Sequence, residues 1–231
     1  MIDNPYIAVI IPAFNEQDSI EYVLKDIPKG LVQEVIVVDN ASSDKTAQTA
    51  VENGATVLSE LRKGYGSACL KGMEYLKTQT TKPDIVVFLD ADYSDHPDEM
   101  NKVVAPIIDQ DVDLVIGSRA LGQKEEGSMM PQQVFGNWLA TSLLKVLYRV
   151  NYTDLGPFRA VKYDKLMAIK MEDTNFGWTV EMQVKAAQHQ LKYCEVPVSY
   201  RKRIGVSKIT GTLKGTVMAG YKIIWTLLKY R

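Results

Sequence analysis

The stretch "VVFLDADYSDHPDEM", residues 86–100, decides how this chain is read. Four apolar residues run directly into Asp90 and Asp92, and Asp95, Asp98 and Glu99 follow closely. A short apolar run that stops at carboxylates is a buried strand meeting a sheet edge. Acids crowded this way repel one another unless something positive sits among them. In an extended segment, residues two apart point the same way, so Asp90 and Asp92 are expected to share a face. Two such carboxylates suit one hard cation, Mg2+ or Mn2+, which keeps positions open for substrate phosphates. The pair therefore reads as an anchor for a diphosphate rather than a structural cage.

Working outward, strands and helices alternate. "YIAVIIP" (6–12), "EVIVVDN" (34–40), "ATVLSE" (55–60), "DIVVFLDAD" (84–92) and "VDLVIGSR" (112–119) read as strands. Most of them lack the in–out alternation of a half-exposed strand and predict burial on both faces. Between them lie helical patterns: "DSIEYVLKDI" with Asp18 or Ser19 as cap, "SSDKTAQTAVENG" closed by Gly54, "GYGSACLKGMEYLKTQ" entered through glycines, and "HPDEMNKVVAPIID". This order predicts an α/β chain with a mainly parallel, Rossmann-like sheet flanked by helices. Ligands in such sheets bind beyond the carboxyl ends of the strands. Those ends carry Pro12–Glu16, Asp39–Asn40, Asp90–Asp92 and Gly117–Arg119, so acids and one arginine are expected to converge on one edge.

The second half differs. A polar loop at 125–133 leads into one long apolar helix, 134–150, broken only by Lys145 and Arg149. Turn signals and a strand follow in "NYTDLGPFRAV", then a helix in "TVEMQVKAAQHQ" and a strand in "KYCEVPVSYR". The end of the chain is a helix candidate with recurring lysines. The whole is expected to be one domain: a nucleotide-binding half (1–119), an acceptor half (120–208) and a C-terminal amphipathic helix (209–231).

Bulk properties narrow the choice. With 46% hydrophobic and 24% charged residues in 231, the composition is that of a globular protein. Cys69 and Cys194 belong to no C-x-x-C pair, so neither structural zinc nor a disulfide framework is expected, and a reducing cytosol is the expected compartment. The opening segment has no basic leader, and no apolar run reaches the roughly 18 residues of a membrane span. The net charge of −1 hides an asymmetry. After Glu195 there is no acid, and the tail carries +8, leaving −9 for the rest. A tail of that sign suits an anionic partner. Nucleic acid is not expected, because the basic segment matches no binding motif and the body is acidic. His96 reads as part of a helix start and His189 as a surface helix residue.

Through these stretches the chain resembles a family 2 glycosyltransferase with the GT-A fold. It is most similar to the dolichyl- and polyprenyl-phosphate mannose or glucose synthases. The likeness rests on "VIIPAFNEQDSI" (9–20), "EVIVVDNASSDKT" (34–46), "RKGYGSACLKGM" (62–73), residues 86–100, "DLVIGSR" (113–119), "TDLGPFRA" (153–160) and "VPVSYRKRIGVSKITG" (196–211). The resemblance implies that Pro12, Ala13, Asn15 and Glu16 border a nucleotide-sugar, and that Asp39 reads its base edge. It implies that Lys63 and Gly64 lie near the nucleoside and phosphates, that Asp90, Ala91 and Asp92 hold ribose, metal and diphosphate, and that Arg119 faces the sugar-phosphate side. Where such synthases often carry a metal-supporting glutamine, this chain has Ser94. Where they have "SGFR", it has "GPFR" (Gly156–Arg159), which marks Arg159 on an altered acceptor-side loop.

The reaction so implied moves a hexose from GDP-mannose or UDP-glucose with inversion, at the cytoplasmic face of a membrane, onto a polyprenyl or dolichyl phosphate. A phosphate nucleophile is already anionic and needs cationic positioning rather than a base. Arg119, Arg201, Arg203, Ser207 and Lys208 are the candidates for that, arginine forks suiting phosphate oxygens. Asp92, Arg119 and Arg203 are expected to act on the reacting groups. A hydroxyl acceptor would require a base, for which Asp154 and Glu181 are the candidates. In the long apolar helix Trp138, Leu143, Leu144 and Leu147, and in the last helix Leu213, Val217, Ile224, Trp225 and Leu228, fit a peripheral membrane contact. A homodimer interface or plain core packing competes for the same residues. Two other readings stand beside the synthase: the same family with a soluble or hydroxyl acceptor, and a nucleotide-sugar-binding partner subunit without turnover. A nucleotidyltransferase is disfavoured, since "PAFNEQDS" offers no glycine-rich loop after the first strand.

Overall fold

The computed structural model describes residues 4–205 and 213–230. Seven strands form one sheet: β1 (Ile7–Ala13), β2 (Glu34–Asp39), β3 (Thr56–Ser59), β4 (Ile85–Phe88), β5 (Leu114–Ser118), β6 (Arg159–Lys162) and β7 (Tyr193–Pro197). Their spatial order is β3-β2-β1-β4-β6-β5-β7. The first four in that order run parallel, as do β5 and β7. Strand β6 is inserted antiparallel between β4 and β5. The mainly parallel sheet expected from the sequence is present, and the antiparallel insertion is what the linear order hides.

Strand β1 is buried along its whole length. Its alternate residues serve two cores. Ile7, Val9, Ile11 and Ala13 pack beneath helices α1 (Ile20–Asp26), α2 (Thr46–Glu52) and α4 (Met100–Gln110). Ala8 and Ile10 face the layer of α3 (Tyr65–Thr78), α5 (Pro131–Tyr148), α6 (Tyr163–Ala168), α7 (Trp178–Gln188) and α8 (Leu213–Lys229). Period-2 side-chain alternation thus builds a three-layer sandwich from one apolar run. Helix α6 is the element the sequence reading lacks; at six residues it is too short to show a period. The long apolar helix begins earlier than expected, at Pro131, and ends at Tyr148.

The expected extension of the fourth strand through Asp92 is corrected. Pairing on both sides ends at Phe88, opposite Ile10 and Arg159. With no partner left, the chain turns, and Tyr93 takes φ 64°, in the left-handed region where a bulky residue is rare. Asp90 and Asp92 therefore sit in a turn, not on one face of an extended strand. Ser207 and Lys208 lie outside the described residues, and so do the side chains of Leu213, Lys214 and Val217.

Candidate active site

Beyond the carboxyl ends of β1, β2 and β4 opens a cavity of about 340 Å³. Of the residues expected at a nucleotide-sugar site, Pro12, Ala13, Glu16, Lys63, Gly64, Asp90, Ala91 and Asp92 line it, joined by Arg203, which was expected on the acceptor-phosphate side. Phe14, Asn40, Tyr65, Ala68, Asn175 and Phe176 line it too. Phe14 and Asn40 stand inside motifs already quoted. Asn175 and Phe176 carry no sequence signal, because they arrive from the turn before α7.

Among the described residues, Arg203 is the cation that pairs directly with these acids. Its Nη1 lies 3.1 Å from Asp92 Oδ2, and its Nη2 lies 3.1 Å from Glu16 Oε1. Backbone pairing brings it there. The Arg201 N–H donates to Ser94 O and the Ile204 N–H to Asp92 O, at 2.9 and 3.0 Å. Asp95 forms a bridge with Tyr200. The basic segment is thus laced, backbone to backbone, onto the acidic turn. Ser94 donates through both its N–H and its hydroxyl to Asp92 Oδ1, so its side chain orients that carboxylate.

Asp90 is half-buried in the cavity wall, with its Oδ1 turned inward. Burial, and then the charge on Asp92, push its carboxyl up to about 7, against the neighbouring Tyr65 hydroxyl and the charges of Arg119 and Arg203. Its Oδ1 is buried with no hydrogen-bond partner, and so are the neighbouring Tyr65 hydroxyl and Arg203 Nε. Polar atoms enclosed this way are costly unless a ligand satisfies them. No group of three or more His, Cys, Asp or Glu side chains arranged to hold a metal occurs among the described residues. Two carboxylates with room for phosphate oxygens is, however, the ordinary donor set for Mg2+ or Mn2+ with a diphosphate. The residues present fit such an ion. Asp95, a residue the sequence reading did not single out, is buried with both carboxylate oxygens unpartnered. Burial and the charges of Asp90 and Asp92 raise its pKa well above the ordinary value.

Asn40 shapes the upper rim. Its Nδ2 donates to Glu60 O and Arg62 O at 3.0 and 2.9 Å, and its Oδ1 accepts the Gly64 N–H at 2.7 Å. That fixes the loop presenting Lys63, whose ammonium stands 5.0 Å from the centre of the Phe14 ring. Asp39 lies at the end of β2 with Oδ1 buried and unpartnered, but it is not among the cavity-lining residues. Asn15 accepts the Ser43 N–H and ties the loop after β1 to the start of the α2 segment, away from the cavity lining.

Several expected acceptor-side residues are committed elsewhere. Arg201 does not reach the cavity: its guanidinium stacks 3.6 Å from the centre of the Tyr93 ring and faces Asp26. Arg119 is clamped by Asp154, with Nε and Nη2 at 2.8 and 2.7 Å from its two oxygens. Burial alone would raise the Asp154 carboxyl, but the Arg119 charge and hydrogen bonds outweigh it and hold it below the ordinary value. Arg159 is 1% exposed and donates to the carbonyls of Leu155, Gly156 and Thr179, so it ties the loop before β6 to the first turn of α7. Glu181 is fully buried and accepts the N–H groups of Glu172 and Asp173, beside Lys185 and the Tyr230 hydroxyl. The expectation of a base at Asp154 or Glu181 has no support in this arrangement, since neither lines the cavity.

Residues 8–170 match the family described as Glycosyl transferase family 2. An uncharacterised glycosyltransferase of Mycobacterium tuberculosis is 34% identical over 92% of this chain and 94% of its own length. The UDP-N-acetylglucosamine–dolichyl-phosphate N-acetylglucosaminyltransferase of Methanococcus voltae is 30% identical over 96% of this chain and 94% of its own. Among solved structures, glucosyl-3-phosphoglycerate synthase from M. tuberculosis, in complex with Mn2+, uridine diphosphate and glucosyl-3-phosphoglycerate, superposes with a TM-score of 0.77. It is 25% identical, and the match covers 98% of this chain and 80% of that one. The chain belongs to glycosyl transferase family 2, and its helix-flanked seven-stranded sheet is the GT-A fold of a glycosyltransferase.

Proposed function

We propose that the protein transfers a hexose from a nucleoside-diphosphate sugar to a polyprenyl or dolichyl phosphate at a membrane surface. One observation carries this reading: Asp90 and Asp92 meet Arg203 and Glu16 in a single open cavity at the carboxyl edge of the sheet. In this reading Asp90 and Asp92 hold Mg2+ or Mn2+ together with the diphosphate. When bound, the ion supplies Lewis-acid stabilisation of the leaving group. Asn40 and Lys63 keep the rim in place over the nucleoside and phosphates. Arg203 offers a fork to phosphate oxygens while it orients Asp92 and Glu16. The Methanococcus voltae relative is named for UDP-N-acetylglucosamine and the M. tuberculosis synthase is in complex with uridine diphosphate, which supports a UDP-sugar over a GDP-sugar as donor.

The acceptor assignment draws on three supports. The carboxylates lining the cavity, Glu16, Asp90 and Asp92, belong to the donor side, and an acceptor phosphate needs no general base. The tail after Glu195 holds no acid. Helices α5 and α8, joined by the Tyr148 hydroxyl donating to Leu227 O, both leave aromatic and aliphatic side chains exposed. These include Phe135, Trp138 and Val146 on α5, and Tyr221, Trp225 and Leu228 on α8. Among the described residues no helix is long and apolar enough to cross a membrane, so contact would be peripheral. The phosphoglycerate complex favours a second reading, a small anionic hydroxyl acceptor. Transfer assays with UDP-glucose, UDP-N-acetylglucosamine and GDP-mannose separate the two. Product on vesicle-borne polyprenyl phosphate supports the lipid reading; product only on phosphoglycerate overturns it.

A further inference from the structure

Two glycines and one buried aspartate join distant segments into one wall of the cavity. A Cβ on Gly64 would sit 2.1 Å from Thr174 O, and one on Gly66 would sit 1.9 Å from Asp173 O. No side chain fits there, so the turn before α7 presses directly on the entry of α3. Ser67 fastens the contact, its N–H and hydroxyl donating to Thr174 O at 3.0 and 3.2 Å. Gly64 and Tyr65 line the cavity on one side of this seam, and Asn175 and Phe176 line it on the other.

Asp173 shapes the turn. Its side chain is 6% exposed, and its Oδ1 accepts the N–H groups of Asn175 and Gly177 at 2.7 and 3.2 Å. Its Oδ2 pairs with Lys222 Nζ of α8 at 2.9 Å. A turn-forming aspartate needs only the first two bonds. The third ties the turn to α8, which packs against α7. Asp90, Asp92 and Arg203 make none of these contacts.

We propose that Asp173, held by Lys222, is a positioning residue for the donor: it sets the Asn175–Phe176 wall against the Gly64–Tyr65 loop and so fixes nucleotide-sugar affinity. This rests on reading the cavity as the donor site. Because the acidic turn and Arg203 stand on other elements, disturbing the wall weakens donor binding and spares the transfer step.

The test measures UDP and GDP binding with Mn2+, alongside donor kinetics. D173A is expected to raise the nucleotide Kd and donor KM about tenfold, the scale of one lost charge-assisted hydrogen bond. Its kcat at saturating donor stays within about twofold of wild type. K222M raises both constants several-fold, and K222R, which keeps the charge, restores them. G66A, which pushes the same seam from the opposite side, also raises Kd and carries the test with K222M if D173A fails to fold. The proposal is overturned if these variants bind nucleotide like a binding wild type, if kcat falls at unchanged KM, or if K222R behaves as K222M. A wild-type chain that binds neither nucleotide overturns the donor-site reading itself, a distinct result.

Discussion

The Arg203 guanidinium stands 3.1 Å from the Asp92 carboxylate at the mouth of the cavity. It compensates the acids of the 90–95 turn from a segment far along the chain, and the same arginine reaches Glu16. A cation that pairs with the resting acids and, in the proposed function, also meets an incoming phosphate makes separable demands. R203A is expected to lower kcat/KM about 10- to 100-fold, the range for one or two charge-assisted hydrogen bonds. Without nucleotide, the same variant is expected to bind Mn2+ more tightly, because Asp92 Oδ2 no longer shares its charge. Manganese titration by electron paramagnetic resonance, run beside the kinetics, checks both. Tighter metal binding with undiminished transfer would remove Arg203 from the reaction.

Donor binding is expected to need the divalent ion. At nucleotide a hundredfold above Kd, the native state gains about 2.7 kcal/mol. In a chain of this size that raises the melting temperature by about 5–10 °C. EDTA or D92N should abolish the rise while leaving the ligand-free melting temperature within a few degrees. A rise that survives chelation contradicts the roles given to Asp90 and Asp92.

The Arg119–Asp154 clamp is expected to be structural. Its carboxylate side chain is 1% exposed, so D154A leaves a buried guanidinium uncompensated, at a cost of about 3–5 kcal/mol. The sign of its pH dependence follows from the lowered carboxyl. Its contribution is complete above the unfolded value near 3.9 and is lost as pH falls through the lower folded value. Denaturant melts of wild type and D154N should differ clearly at pH 7 and converge below about pH 4. A gap that stays constant into acid would show that the pair's charge is not what matters.

Glu181 separates a base from a brace. E181Q keeps the shape but loses the charge facing Lys185 at 2.7 Å. It is expected to lower stability by about 1–3 kcal/mol and to leave the pH profile of kcat/KM unchanged. Loss of the acidic limb of that profile, where the rate rises as a base deprotonates, would reinstate Glu181 as the proton acceptor.

Membrane contact is expected to register in the exposed tryptophans. Trp138 and Trp225 are 60% and 51% exposed. Vesicles containing anionic phospholipid should shift their emission to the blue and sediment with the protein, and W138A/W225A together should weaken partition about tenfold or more. Equal partition of wild type and double variant would point away from these helices.

Much of the site was legible in sequence, for local reasons. Apolar runs of strand length stopping at Asn15–Glu16, Asp39–Asn40 and Asp90–Asp92 announce strand ends, and strand ends in a parallel sheet share one edge. Arg203 was legible as a candidate cation of the site, and it does line the cavity, although its partners Glu16 and Asp92 were not legible. The roles expected of Arg201, Arg119, Arg159 and Glu181 failed to appear in the geometry because a charged residue type does not reveal its partner. Arg201 found Tyr93, Arg119 found Asp154, and Arg159 found three carbonyls.

The sequence by itself determined the strand–helix alternation, the two-faced burial of β1 and the acids at the sheet edge, because each follows from residues within a few positions of one another. Tertiary structure alone decided the antiparallel insertion of β6, the lacing of the basic segment onto the acidic turn, and the wall built by Asn175 and Phe176. Those depend on backbone hydrogen bonds and close approaches between segments far apart in the chain, which no local period encodes.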